Sequence, residues 1–137
     1  MKYTDAIPNL IVSDIARSTA FYQDVLGFAT IAATVPDTPP FVFVWLQRDG
    51  VSVFLNAQAG VQEDLPALAE RPLGGTNTIF LTLEAETAEA GIDALFASVE
   101  GKARVVMPLK TQFYGMREFA VEDPDGHVII CAQRVEV

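Results

Sequence analysis

The chain has 137 residues and a mass of 14.8 kDa, and half of it is apolar, which is typical of one globular domain that needs neither a disulfide nor a metal to hold its core. Eighteen acidic residues against nine basic ones give a net charge of −9, which argues against binding to a nucleic-acid backbone or to an anionic membrane. The same charge keeps the protein soluble and is compatible with a neutral or cationic ligand.

The first half of the chain predicts a strand, a helix and three further strands. Ser13 and Asp14 are residues that begin helices, and Gly27 stands where a helix is expected to end. Arg48-Asp49-Gly50 predicts a hairpin turn, because Asp-Gly tolerates a positive φ. The four strands are predicted at residues 6–12, 28–35, 41–47 and 51–56, with a proline-rich loop at 36–40 between the second and third.

The second half predicts the same order. Thr87 is expected to cap a helix that Gly101 ends, and Asp123-Pro124-Asp125-Gly126 predicts a tight turn. Pro108 is expected to lie in a loop. The predicted strands are 77–83, 103–107, 115–122 and 127–133. The chain is therefore interpreted as an α+β domain of two βαβββ modules, residues 1–58 and 76–137, with a connector at 59–75 that has one helical turn around 65–69.

Motifs at both ends of the chain resemble the glyoxalase/bleomycin-resistance/dioxygenase group, also called the vicinal oxygen chelate fold. The opening motif is Pro8-Asn9-Leu10, Val12-Ser13-Asp14, the run 18–22 and Leu26-Gly27-Phe28; the closing motif is Tyr114-Gly115 with Arg117, Phe119 and the turn 123–126. The resemblance spans nearly the whole chain. It implies a single domain over residues 1–137, in which each module curls into an open mixed sheet, and it implies a homodimer.

The resemblance also implies where metal-using members of the group place their ligands. Those positions take His, Glu or Gln, and a divalent ion needs several such donors. Isoleucine has no lone pair to donate, so we expect no metal and no cofactor in this chain. The corresponding positions here are Ile7, Thr78, Ile130 and a fourth among Ser52, Phe54 and Asn56.

Three other side-chain groups have both a functional and a structural interpretation. His127 is either a ligand or general base acting with Asp123, Asp125 or Glu122, or an exposed hairpin residue, which we favour because no second histidine exists. Cys131 has no evident activating base and is expected to be a buried structural thiol.

Glu118 and Glu122 share one strand face. They form either a paired-carboxylate site or, as we favour, a solvent face, because Phe119 and Val121 take the other side.

Aromatic residues carry the clearest functional pattern. Phe41, Phe43 and Trp45 alternate on one strand and so share a face, where they form either a ligand-binding wall or a core or dimer contact. Phe54 lies on the partner strand. The predicted ligand-binding residues are Phe41, Phe43, Trp45, Phe54, Asn56, Phe113, Tyr114 and Arg117.

This chain is most similar to the metal-free, bleomycin-resistance-like branch of the group. It is therefore interpreted as a metal-independent protein that sequesters a planar or cationic small molecule in an aromatic pocket at a dimer interface. A metal-dependent glyoxalase- or dioxygenase-like enzyme and a module that only pairs subunits are the alternatives. The lone cysteine, the absence of a secretion signal at residues 1–12 and the absence of a long apolar run predict a cytoplasmic protein with no membrane partner.

Overall fold

The chain divides between Leu73 and Gly74 into two units, each with the predicted order of strand, helix and three strands. A computed structural model describes residues 1–35 and 42–136. Phe41 and the predicted loop at 36–40 lie outside the described residues. The division between the units falls within the predicted connector.

The first unit is an open four-stranded mixed sheet with the order β1-β4-β3-β2. Strand β1 runs parallel to β4, and the other neighbours are antiparallel. Its elements are β1 (Asn9–Val12), α1 (Ile15–Asp24), β2 (Ala29–Val35), β3 (Phe43–Arg48), β4 (Val51–Ala57), α2 (Gln58–Asp64) and a 3-10 turn (Pro66–Leu68).

The second unit repeats this topology with the order β5-β8-β7-β6, in which β5 runs parallel to β8. Its helix begins with a π-helical turn (Glu89–Asp93). The other elements are β5 (Thr78–Leu83), α3 (Ala94–Val99), β6 (Arg104–Thr111), β7 (Met116–Glu122) and β8 (Val128–Arg134). The prediction of two open βαβββ modules is confirmed.

Both predicted helix starts are confirmed by their capping bonds. Asp14 Oδ1 accepts from the Arg17 amide at 3.1 Å, and Thr87 Oγ1 accepts from the Ala90 amide at 3.1 Å. Gly27 ends the first helix with a φ of +73°, as predicted. These local signals act within a few residues, which explains why the sequence alone predicts them.

Two predictions about the chain path are wrong. Helix α2 was not predicted, whereas the short turn expected around 65–69 is confirmed by the 3-10 turn at Pro66–Leu68. The Ala57 start of α2 has no side-chain capping bond, so this helix lacks the usual sequence signal. Strand β6 continues through Pro108 instead of ending before it. The strand tolerates proline because β6 is at the sheet edge and its register shifts between Met107 and Lys110.

Helix α1 covers one face of the first sheet. Arg48 extends from this face to donate a 2.7 Å hydrogen bond to the Leu26 carbonyl, just beyond the helix. The buried helix residues are Ser18, Phe21 and Tyr22, and the alternate strand residues buried beneath them are Val44, Leu46, Val53 and Leu55. We call the opposite face, which carries Phe43, Trp45, Gln47, Ser52, Phe54 and Asn56, the far face of the first sheet.

The second sheet is covered in the same way by the π-helical turn and α3. Phe96 of α3 packs edge-on against Phe119 of β7, with ring centroids 5.1 Å apart. On β8, buried Gln133 accepts a 2.9 Å bond at Oε1 from the Ile92 amide. We call the opposite face, which carries Met116, Glu118, Ala120, Glu122, Ile130 and Ala132, the far face of the second sheet.

Within the described ranges no helix is both long enough and apolar enough to cross a bilayer.

Gly91 is expected to be essential to the second unit because it lies against Gln133. A methyl group placed on Gly91 would overlap Gln133 Oε1 and approach Ala85 Cβ to 2.7 Å. Gly91→Ala is therefore expected to lower the free energy of unfolding by about 1–3 kcal/mol, since the Gln133–Ile92 bond must break or the turn must shift.

Urea denaturation measures this change, with Gly60→Ala as the matched control. A methyl group at Gly60 meets Val42 only at an ordinary contact distance of 3.5 Å, and alanine favours a helix, so the control should not lose stability. Equal denaturation midpoints for Gly91→Ala and the parent protein would contradict the assignment.

Candidate functional site

An aromatic cluster occupies the far face of the first sheet. Trp45 lies directly opposite Phe54 in the strand register, and Phe43 lies opposite Asn56. Phe54 makes edge contacts with both neighbours, at centroid distances of 5.1 Å to Phe43 and 5.8 Å to Trp45. The prediction that these aromatic side chains share one face is confirmed for Phe43 and Trp45, whereas Phe41 lies outside the described residues.

The polar groups of this face are bound to one another. The Trp45 indole Nε1–H donates to Ser52 Oγ at 3.0 Å, and Gln47 Nε2 donates to the same oxygen at 3.3 Å. The Asn56 side-chain amide donates to Asn9 Oδ1 across the β1–β4 pair. Because the Trp45 N–H already has a partner, the ring offers its π surface rather than its donor. The face can therefore stack a flat molecule.

A buried carboxylate lies on the far face of the second sheet. Glu118 is only 3% exposed, so the expectation of a solvent face is wrong for this residue. The Tyr114 side chain lies against this carboxylate, a contact that alternation along the strand does not reveal. Glu122, four residues on, is half-buried and pairs with Arg104 at 3.0 Å. The two carboxylates thus occupy different environments.

Tyr114 supplies the hydrogen bond that Glu118 receives. The Tyr114 hydroxyl donates to Glu118 Oε1, whereas Oε2 is buried and bonds to none of the residues that the structure describes. The pKa of Tyr114 is raised above its usual 10.0, mainly by the hydrogen bond to Glu118 and, to a smaller extent, by desolvation and by the negative charge of Glu118. Phe113, which is 91% exposed, contacts Tyr114 with centroids 5.2 Å apart.

Arg117 points to the other side of β7. Its guanidinium Nε lies 2.6 Å from Asp93 Oδ1, and its Nη1 lies 3.2 Å from Thr111 Oγ1. These bonds hold the helical segment to the sheet. The structure thus places Phe43, Trp45, Phe54 and Asn56 together in the first unit, and it places Arg117 on the opposite face of β7 from Glu118.

His127 is not an exposed hairpin residue, so that expectation is wrong. Its side chain is 12% exposed, and Nδ1 lies 2.8 Å from Oδ2 of the fully buried Asp123 side chain. Asp123 Oδ1 also accepts from the backbone amides of Asp125 and His127, each at 2.9 Å. These bonds close the β7–β8 turn, which gives the pair a structural role.

The donor set at the positions that the resemblance implies does not suit a metal. Ile130 occupies one of these positions, on the far face of the second sheet, and Ile7 occupies another; neither has a lone pair. The Asn56 amide is engaged by Asn9. No group of three or more His, Cys, Asp or Glu side chains suited to a metal occurs among residues 1–35 and 42–136. Cys131 is buried, as predicted.

Comparison with known proteins is consistent with the observed topology. The family model of the glyoxalase/bleomycin resistance protein/dioxygenase superfamily matches residues 5–130. A bleomycin resistance protein from Geobacillus stearothermophilus is 29% identical over 140 residues, which cover 96% of this chain and 97% of that protein.

Solved structures of low sequence identity share the fold. A glyoxalase/bleomycin resistance protein/dioxygenase from Nocardioides has a TM-score of 0.75 at 21% identity and covers 99% of this chain and 86% of its own. An enzyme of the same family from Burkholderia phytofirmans PsJN has a TM-score of 0.75 at 22% identity, with coverages of 94% and 97%.

The Tyr114–Glu118 bond predicts an altered tyrosine titration. Glu118→Gln removes the negative charge and is expected to lower the pKa of Tyr114 towards 10.0, because tyrosinate no longer faces a carboxylate. Ultraviolet difference absorbance of tyrosinate measures the shift, and Tyr114→Phe identifies its signal among the three tyrosines. An unchanged titration in Glu118→Gln would show that the two side chains do not interact in solution.

Proposed function

This chain belongs to the glyoxalase/bleomycin resistance protein/dioxygenase superfamily, and on that premise we propose that it is a small-molecule binding protein of the bleomycin-resistance type that sequesters a planar or cationic guest. The observation that carries this proposal is the aromatic cluster of Phe43, Trp45 and Phe54. The name of the Geobacillus relative supports it, because the two chains align over nearly their full lengths.

The cluster has the physical properties of a stacking surface. Its three side chains are half-buried and held edge to face, so they lose little rotamer entropy when a guest binds. Their π faces attract both flat rings and cations. The net charge of −9 further favours a cationic guest over an anionic one.

The proposed binding does not require a metal. Isoleucine occupies two of the positions that the superfamily uses for ligands, so a guest would be held by apolar, aromatic and polar contacts of the protein itself. The protein would then bind its guest without changing it chemically.

A homodimer completes the proposal. Phe43, Trp45 and Phe54 keep part of their surface uncovered in the single chain. A second copy at this face would cover the remaining apolar surface and close a pocket around the guest, since aromatic residues are enriched at the cores of protein interfaces.

Trp45 allows a direct test, because it is the only tryptophan of the chain. Titration with bleomycin and with a panel of planar cationic drugs is expected to change its fluorescence saturably, equally before and after treatment with EDTA. Phe54→Leu is expected to weaken binding about three- to tenfold, because it removes a stacking ring and keeps an apolar side chain.

Val51→Ala is the matched control. Val51 lies on the same strand, three residues earlier, and is 44% exposed, so its truncation should leave the affinity unchanged. No saturable response to any compound would contradict the proposed function. A stoichiometric metal that EDTA removes together with binding would contradict metal independence.

A further inference from the structure

The Glu118 carboxylate is a buried acidic group with half of its hydrogen-bonding capacity unused. Oε1 receives the Tyr114 hydroxyl, but Oε2 is buried and has no hydrogen-bond partner among the described residues. Buried polar atoms in folded proteins nearly always have a partner. An orphaned carboxylate oxygen therefore calls for a specific explanation.

The surroundings of Glu118 make the orphaned oxygen costly. Its neighbours on the far face are apolar: Met116 and Ala120 on its own strand, and Ala132 directly opposite on β8. A carboxylate in apolar surroundings is destabilised unless donors or an opposite charge compensate it. Lys110 lies opposite Glu118 on the edge strand β6, but its side chain is exposed and does not bond to Oε2.

The fold has other acidic residues that are already compensated. Asp123 is buried and receives two backbone amides and His127, whereas Asp93 pairs with Arg117 and Glu122 pairs with Arg104. Each of these carboxylates thus has a structural partner. Glu118 alone among these four combines burial with an oxygen that none of the described residues engages.

We propose that Glu118 Oε2 is the anchor for a cationic nitrogen of a small molecule bound at the far face of the second sheet, a group with both positive charge and N–H donors such as an ammonium, amidinium or guanidinium. This assignment rests on the proposed function and narrows its ligand class. An N–H···O bond between two ions is shorter and stronger than a neutral one, and it is strengthened further where water is excluded. Tyr114, 46% exposed and bonded to Oε1, holds the carboxylate in place for that contact.

A cation explains the feature better than a neutral donor does. A neutral hydroxyl or amide would satisfy the geometry of Oε2 but leave the charge of the carboxylate uncompensated in apolar surroundings. A cation with an N–H group both donates a hydrogen bond to Oε2 and compensates the charge of the carboxylate. The guest selected in this way carries at least one protonated or permanently charged nitrogen that retains a hydrogen to donate.

Isothermal titration calorimetry with two pairs of reagents tests the assignment. The first pair is the variants Glu118→Gln and Glu122→Gln, which remove the same charge from the same face of β7, four residues apart; bleomycin is titrated into each. Gln keeps an oxygen that accepts from Tyr114, but it replaces Oε2 with an uncharged NH2 group that cannot accept a hydrogen bond. Glu118→Gln is therefore expected to weaken binding at least about tenfold, and Glu122→Gln by less than about twofold.

The second pair is dansylcadaverine, which has a primary amine, and its N-acetyl derivative, both titrated into the unmodified protein. The amine is expected to bind at least about tenfold more tightly, and this preference should disappear in Glu118→Gln. This comparison holds even if a variant folds poorly, because it needs no substitution.

The outcomes separate the inference from the proposed function. Equal affinity for the amine and its N-acetyl derivative, or equal losses in the two Gln variants, would overturn the cation anchor while binding itself, and hence the proposed function, remains. Failure of the unmodified protein to bind bleomycin and both dansyl probes would remove the proposed function and this inference together.

Discussion

Each four-stranded sheet of this protein packs one face against a helical segment, α1 in the first unit and the π-helical turn with α3 in the second, and this constraint separates the two faces of each sheet. A sheet buries its apolar side chains on whichever face a helix packs against. In the first unit that face carries Val44, Leu46, Val53 and Leu55; in the second it carries Phe119 and Val121. The far faces are thereby left for side chains that do not serve the helix contact.

The two far faces have different chemistry. The first has aromatic rings in edge-to-face contact, and the Trp45 indole N–H is already bonded to Ser52, which leaves the ring surfaces for stacking. The second has a buried carboxylate that is only partly satisfied, which suits a cation. The proposed guest is planar or cationic, and the acidic composition of the chain agrees with a cationic one.

The sequence predicts the order of elements well, because the signals are local. The Asp14 side chain caps helix α1 by accepting from the amide three residues later, and Gly27 ends the helix. Helix α2 was missed because its start has no capping side chain. Pro108 was predicted to lie in a loop but lies in β6. A strand tolerates proline when it is at the sheet edge, and the order of strands in a sheet is not a local property of the sequence.

The arrangement of the candidate site residues could be predicted only in part, because some of it follows from local alternation and some from tertiary packing. Alternation along β3 places Phe43 and Trp45 on one face whatever the tertiary structure, so this could be predicted from sequence. The burial of Glu118 could not, because period-two alternation does not say whether a polar face is covered. An interaction of His127 with Asp123 was one of the two interpretations from the sequence, but the local pattern did not show that both side chains are largely buried.

The central proposal, that the guest binds at the far face of the first sheet and not at its helix-packed face, is tested most directly by nuclear magnetic resonance during a bleomycin titration. The account predicts shifts of the Trp45 indole N–H and of the Asn56 side-chain amide, with the methyl groups of Val44 and Leu46 on the opposite face of β3 unchanged. Shifts confined to those methyl groups, with the Trp45 and Asn56 signals unmoved at saturation, would contradict it.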